Sequence, residues 1–180
     1  MIGLSARLQG PLGRFRRHER GAVAIEFVLV APIFFFLIFA TLETSLLYVV
    51  ATVMEGEVAI AARTIRTGQL QEEADPEAAF TEILCSNLDN VLNCDNVIID
   101  VRTFDDFGEM EFTEFVDEEG NASNTLFQAG TADDIVLVRI AYLYNIVTPY
   151  LAEILPTNGA GAVVLYSGAA FKNEPFQNAL

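Results

Sequence analysis

The chain has 180 residues, 25 of them acidic against ten Lys and Arg, for a formal net charge of −15; 52% are hydrophobic and the mean hydropathy is +0.37. That length allows one domain and an anchor. The acidic balance argues against a nucleic-acid partner, because phosphates would be repelled.

Residues 1–21 read as a basic leader. Arg7, Arg14, Arg16, Arg17 and Arg20 are half of all the basic residues, Glu19 is the one acid among them, and Gly10, Pro11 and Gly13 break regular structure. Arginine on this flank of an apolar run predicts a cytoplasmic N-terminus, where the leader can touch anionic lipid heads. The apolar run, Ala22 to Leu42, holds 21 residues with one charge, Glu26. As a helix it is about 31 Å long, enough to cross a bilayer core. A buried core helix is the alternative. Phe34, Phe35, Phe36 and Phe39 cover every helical face, which suits lipid better than a one-sided core. Pro32 predicts a kink. Beyond Leu42 the pattern turns amphipathic, with Val50, Met54, Val58, Ala61 and Ile65 on one side and Thr52, Glu55, Ala59, Arg63 and Arg66 on the other. The helix is expected over 22–68, with Gly68 as its stop, and its outer half must pack on something folded.

The remaining segment, 69–180, is expected to be a periplasmic α+β domain. Asp75 as N-cap and Pro76 at the first helical position open a second helix with Ala79, Phe80, Ile83, Leu84 and Leu88 as its apolar stripe. The period then changes to two. Val97–Phe104 alternates Val97, Ile99 and Val101 against Asp100 and Arg102; Asp133–Asn145 alternates Val136, Val138, Ile140 and Tyr142 against Arg139; Ala162–Phe171 is the third strand. Met110–Val116 is a weaker candidate for an edge strand, and the polar stretch Asp117 to Thr131 reads as a surface loop. The predicted architecture is α+β: a long N-terminal transmembrane helix packed by its outer half on a small antiparallel sheet, with one further helix. Cys85 and Cys94 both follow the membrane segment. The predicted orientation places them in an oxidising compartment and favours a disulfide, two unpaired buried thiols being the alternative.

The most informative residues are Arg20-Gly21-Ala22-Val23-Ala24-Ile25-Glu26-Phe27. Glycine exposes backbone to a peptidase without a side chain in the way. A carboxylate on a lipid-facing helix costs a few kcal/mol at bilayer depth, so Glu26 is expected to serve a partner. The bland alternative is a helix boundary at Gly21 and a Glu26 that snorkels to the headgroups. A glycine closing a basic leader, with an acid five residues on in an apolar helix, resembles the type IV prepilin pattern. Ala31-Pro32, Glu43, the stretch Ala61-Ala62-Arg63-Thr64-Ile65-Arg66-Thr67-Gly68-Gln69, Leu84-Cys85 with Asn93-Cys94, and Phe171-Lys172-Asn173-Glu174-Pro175-Phe176 narrow this. Together they resemble the TadE-like family of the tight-adherence (Flp, type IVc) pilus system.

The resemblance implies a pilin-like fold and a minor pilin or pseudopilin that takes part in pilus assembly. A prepilin peptidase would cut after Gly21, Ala22 would become the N-terminus, and Glu26 would dock subunits. Its partners would be other pilins of the system, the peptidase, the inner-membrane assembly platform and membrane lipid. The expected location is the bacterial inner membrane, with incorporation in a surface pilus as a further step. The other reading is an unprocessed signal-anchor protein with a partner-binding periplasmic domain. The acidic segment 105–119 matches no family feature.

Catalysis finds little support. His18 is the one histidine and lies in the leader, so no Ser/His/Asp or Cys/His set can form in the processed chain. No zinc spacing or phosphate loop is present, and no cofactor is implied. The acids of 105–119 do not follow calcium-loop spacing and read as a solvated face. Glu43 reads as the outer boundary of the span, with a second docking acid as the alternative.

Overall fold

The computed structural model describes residues 19–89, 91–110, 112–158 and 161–176. Arg7, Arg14, Arg16, Arg17 and His18 of the leader lie outside them. Two compact units divide the chain, one up to Thr41 and one from Leu42 to Leu180.

Helix α1, Glu19–Arg66, has 48 residues and continues through Pro32. It starts three residues before Ala22, so Gly21 and Ala22 are both helical. In the first unit its apolar side chains face outward: Val23, Leu29 and Ile33 are two-thirds exposed, and Phe34, Phe35 and Phe39 are about half exposed. None of its most apolar stretch is buried, and its length and composition suffice to cross a membrane. That rules out the buried-core alternative.

The second unit holds the outer half of α1, helix α2 (Pro76–Leu88) and three strands, β1 (Val97–Phe104), β2 (Ile135–Asn145) and β3 (Ala162–Lys172). The sheet is antiparallel in the order β1-β2-β3. This is the α+β, pilin-like layout. Asp75 caps α2 by accepting from the Ala78 amide at 3.1 Å, as the Asp-Pro signal predicts. The strand β2 begins at Ile135, not Asp133, because Asp133 adopts φ +67 and Asp134 turns back to accept from the Thr131 amide at 2.7 Å. A left-handed residue cannot continue a strand.

The core forms where α1 and α2 cover one sheet face. Val50, Met54, Val58, Ala61 and Ile65 of α1 meet Phe80, Leu84 and Leu88 of α2 and Val101, Val136, Val138 and Ile140 of the sheet, all buried. Each large aliphatic side chain so buried contributes roughly 1.5–3 kcal/mol. The five α1 positions are those picked out by the three-and-four spacing.

Helix α1 ends in a Schellman turn. The Gly68 amide donates to the Ile65 carbonyl and the Gln69 amide to the Thr64 carbonyl, both at 3.1 Å, with Gly68 at φ +80. The Phe176 ring closes over this glycine, so an added Cβ would lie 2.4 Å from it. Glu174 donates its amide to the Arg66 carbonyl at 2.9 Å, and buried Asn173 donates its side-chain amide to the Ala129 and Thr131 carbonyls. The Ala-Arg-Thr and Phe-Lys-Asn-Glu-Pro-Phe segments are therefore contact partners.

The opposite sheet face is covered too. The expected edge strand Met110–Val116 does not form. Its described residues cross the sheet instead: Phe115 and Val116 are buried against Ala141, with Ile98 and Val164 beside them, and Val116 pairs only with Ala122. The edge position beside β1 is taken by Leu126–Gln128. The Val101 amide donates to the Leu126 carbonyl at 2.8 Å, and the Gln128 amide to the Val101 carbonyl at 2.9 Å. Phe127 reaches Phe80, with 5.6 Å between ring centroids. The stretch 117–131 is thus only partly a surface loop.

Candidate functional site

Glu26 sits one and a half turns after Gly21 on an exposed part of α1. Its neighbours at helical spacing, Val23, Leu29, Val30 and Ile33, are apolar and 58–68% exposed. The carboxylate therefore stands in an open apolar stripe. Such a stripe can be covered by lipid or by other helices, and in either setting a lone carboxylate gains from a cationic partner. Gly21 is open as well, with nothing within 4 Å of where a Cβ would be. Gly21, Ala22 and Glu26 thus lie within two turns of one helix.

Glu43 behaves differently. It is buried at 4% exposure and belongs to the second unit. Its carboxylate accepts from the Val147 amide and, at 2.7 Å, from the Thr148 amide, both in the loop after β2. Two backbone donors on one carboxylate form a charge-assisted clamp. Burial, and next the negative charge of Glu43, push the Tyr144 hydroxyl above its usual pKa. Thr41, two residues before Glu43, donates its hydroxyl to the Leu37 carbonyl at 2.7 Å.

On the far sheet face, Asp100 of β1 and Arg139 of β2 are direct cross-strand partners. Arg139 Nη2 lies 2.6 Å and Nε 3.1 Å from Asp100 Oδ2. Asp100 also accepts from Arg102 Nε and from the Leu126 amide at 3.0 Å. Arg139 Nη1 donates to the Thr113 carbonyl at 2.7 Å, and the guanidinium lies 4.5 Å from the Phe115 ring centroid. Arg102 donates to the Asn124 carbonyl. The pair, with Arg102, thus fastens the segment after β1 to the sheet at four points. Opposite Arg139 on β3 is Gly168, where an added Cβ would lie 2.7 Å from the Val138 carbonyl.

The acidic segment is used locally. Asp106 accepts from the Gly108 amide and Asp117 from the Asn121 amide, each at 2.7 Å. Among the described residues no group of three or more His, Cys, Asp or Glu is placed to hold a metal. Cys85, on α2, and Cys94, in the turn before β1, form a disulfide with their Cα atoms 5.9 Å apart. It ties the end of α2 to the start of the sheet.

Sequence reasoning anticipated the Cys85–Cys94 disulfide and the helical setting of Glu26. It missed the burial of Asp100 and Arg139, and the backbone partners of Glu43. Residues 21–63 match the family model described as TadE-like protein. No curated protein and no solved structure matches the chain. The matched stretch opens at Gly21 and covers the apolar run and most of the amphipathic extension.

Proposed function

We propose that the chain is a minor pilin or pseudopilin that takes part in assembling a Tad-type pilus, and that prepilin peptidase cuts it after Gly21. The observation that carries this reading is Glu26: a carboxylate in an exposed apolar stripe, five residues after Gly21, inside a segment similar to TadE-like proteins. Cleavage would give Ala22 a positive amine about one helical turn, roughly 6 Å of rise, from Glu26. In a helical bundle the Glu26 carboxylate pairs with that amine on the same or a neighbouring subunit. The other pilins, the peptidase and the inner-membrane platform are the partners this requires.

Orientation follows from the arginines of the leader, which hold the N-terminus in the cytoplasm and send the folded unit to the periplasm. The Cys85–Cys94 disulfide suits that compartment. One observation favours the unprocessed signal-anchor reading: the helix runs unbroken across Gly21 and Ala22, whereas a peptidase needs extended backbone. Gly21 lies in the first turn, where fraying costs little and glycine weakens the helix by about 1 kcal/mol.

Glu26→Ala tests the docking role. The variant is expected to fold its outer unit, with the disulfide intact, yet to enter the assembled pilus or its membrane complex far less than the parent. Undiminished incorporation would contradict the assignment.

A further inference from the structure

The loop that follows β2 combines three features. Val147, Tyr150 and Ile154 are 84%, 73% and 68% exposed. Tyr150 holds a left-handed backbone, φ 63, which a residue with a bulky side chain rarely adopts. The loop is fixed to α1 at Glu43, through the Val147 and Thr148 amides. Glu43 is the residue after Leu42, where the 21-residue apolar run closes. Wherever that run meets the edge of a bilayer, Glu43 and the loop clamped to it meet that edge too.

The chemistry of the loop suits that depth. Tyrosine concentrates where hydrocarbon gives way to headgroups, because its ring is apolar and its hydroxyl polar. Glu153 is the single charge between Ile146 and Pro156. Tyr48, one and a half turns past Glu43 on α1, is 76% exposed. An exposed apolar cluster in water would be a liability; at a headgroup surface it is solvated by lipid.

We infer that Val147, Tyr150 and Ile154 form a second membrane contact, an interfacial loop seated on the outer headgroup layer of the membrane that α1 crosses. The inference rests on the reading of α1 as a membrane span. Its consequence is that the folded unit touches the bilayer through this loop as well as through the helix, with the Glu43 clamp fixing the loop's depth.

The chain contains no tryptophan, so single substitutions report position. Three full-length variants, Phe35→Trp, Val147→Trp and Phe107→Trp, would be reconstituted in vesicles of phosphatidylethanolamine and phosphatidylglycerol doped with lipids brominated at mid-chain or close to the carbonyl. Phe107 follows the end of β1 that pairs with Ile135, about 34 Å of strand from Asn145, and serves as the aqueous control. The expected result is quenching of Phe35→Trp by the mid-chain label, a blue shift and quenching of Val147→Trp by the shallow label, and no quenching of Phe107→Trp. If Phe35→Trp is quenched and Val147→Trp emits as in water, the loop is not interfacial and the span stands. If the lipids quench Val147→Trp and Phe107→Trp alike, the contact is unspecific and the inference falls. If Phe35→Trp escapes quenching, the span itself fails and the inference falls with it. A Val147→Trp blue shift without lipid quenching, appearing only as protein density rises, would mean that a second copy covers the loop.

Discussion

The carboxylate of Glu43 and the amide of Thr148 lie 2.7 Å apart across 105 residues of sequence. With the Val147 amide, this is a side-chain bond between the start of the folded unit and a loop near its end. Glu43→Ala leaves two donors without their acceptor, a loss of about 1–3 kcal/mol for each that stays buried. Glu43→Gln keeps one good acceptor oxygen and should lose less. Denaturant titration of detergent-solubilised protein should rank stability as parent, Gln, Ala. Equal midpoints would mean that the clamp contributes nothing.

Asp100 and Arg139 give a sharper test. Arg139→Ala leaves the buried Asp100 carboxylate with Arg102 Nε and the Leu126 amide but without its nearer cation, so the loss should be a part of the about 3–5 kcal/mol typical of a fully broken buried pair. Replacing both together, as Asp100→Leu with Arg139→Met, removes this pair, leaves Arg102 to the Asn124 carbonyl, and should recover part of that loss. A double variant as unstable as the single one would show that the bonds to Thr113 and Leu126, rather than the charge pair, set the stability.

The disulfide should contribute about 2–3 kcal/mol by restricting the unfolded chain. Reduction, or the double change Cys85→Ala and Cys94→Ala, should lower the unfolding midpoint while leaving the sheet formed. Thiol labelling of denatured, unreduced protein should modify neither cysteine; modification of both would refute the bridge.

The carboxyl of Asp117 is held below its ordinary value, chiefly by the Asn121 amide, with burial opposing and the Asn121 side chain and the Gly120 and Glu119 amides assisting. A depressed folded-state pKa gives stability that is present above the unfolded value and lost as pH falls through the folded one. The 117–121 turn should therefore open under acid. Hydrogen exchange at the Gly120 and Asn121 amides, corrected for intrinsic rates, should quicken below the usual carboxylate range, and Asp117→Asn should remove that dependence.

The core face was legible because periodicity carries it. Val97, Ile99 and Val101 alternate, Val50 to Ile65 recur at three and four, and both patterns land on one buried cluster. The other face was not legible. Asp100, Arg102 and Arg139 look the same in sequence whether they meet water or each other, since alternation separates two faces without saying what covers the polar one. Leu126-Phe127, two apolar residues in a polar stretch, was the available hint of a cover. Glu43 was harder still, because its partners are backbone amides and leave no side-chain signature. At the N-terminal end the residues themselves carry the reading. Gly21 and Glu26 are seen in sequence at a fixed spacing, and both are exposed on the helix.

The central claim is that Gly21 marks a processing point and Glu26 a subunit contact. Its most direct test is the N-terminal sequence, or intact mass, of the protein recovered from its native membrane and pilus fractions. The account predicts a chain that starts at Ala22, with a free amine one turn from Glu26. A chain that still starts at Met1 in the assembled fraction would contradict it.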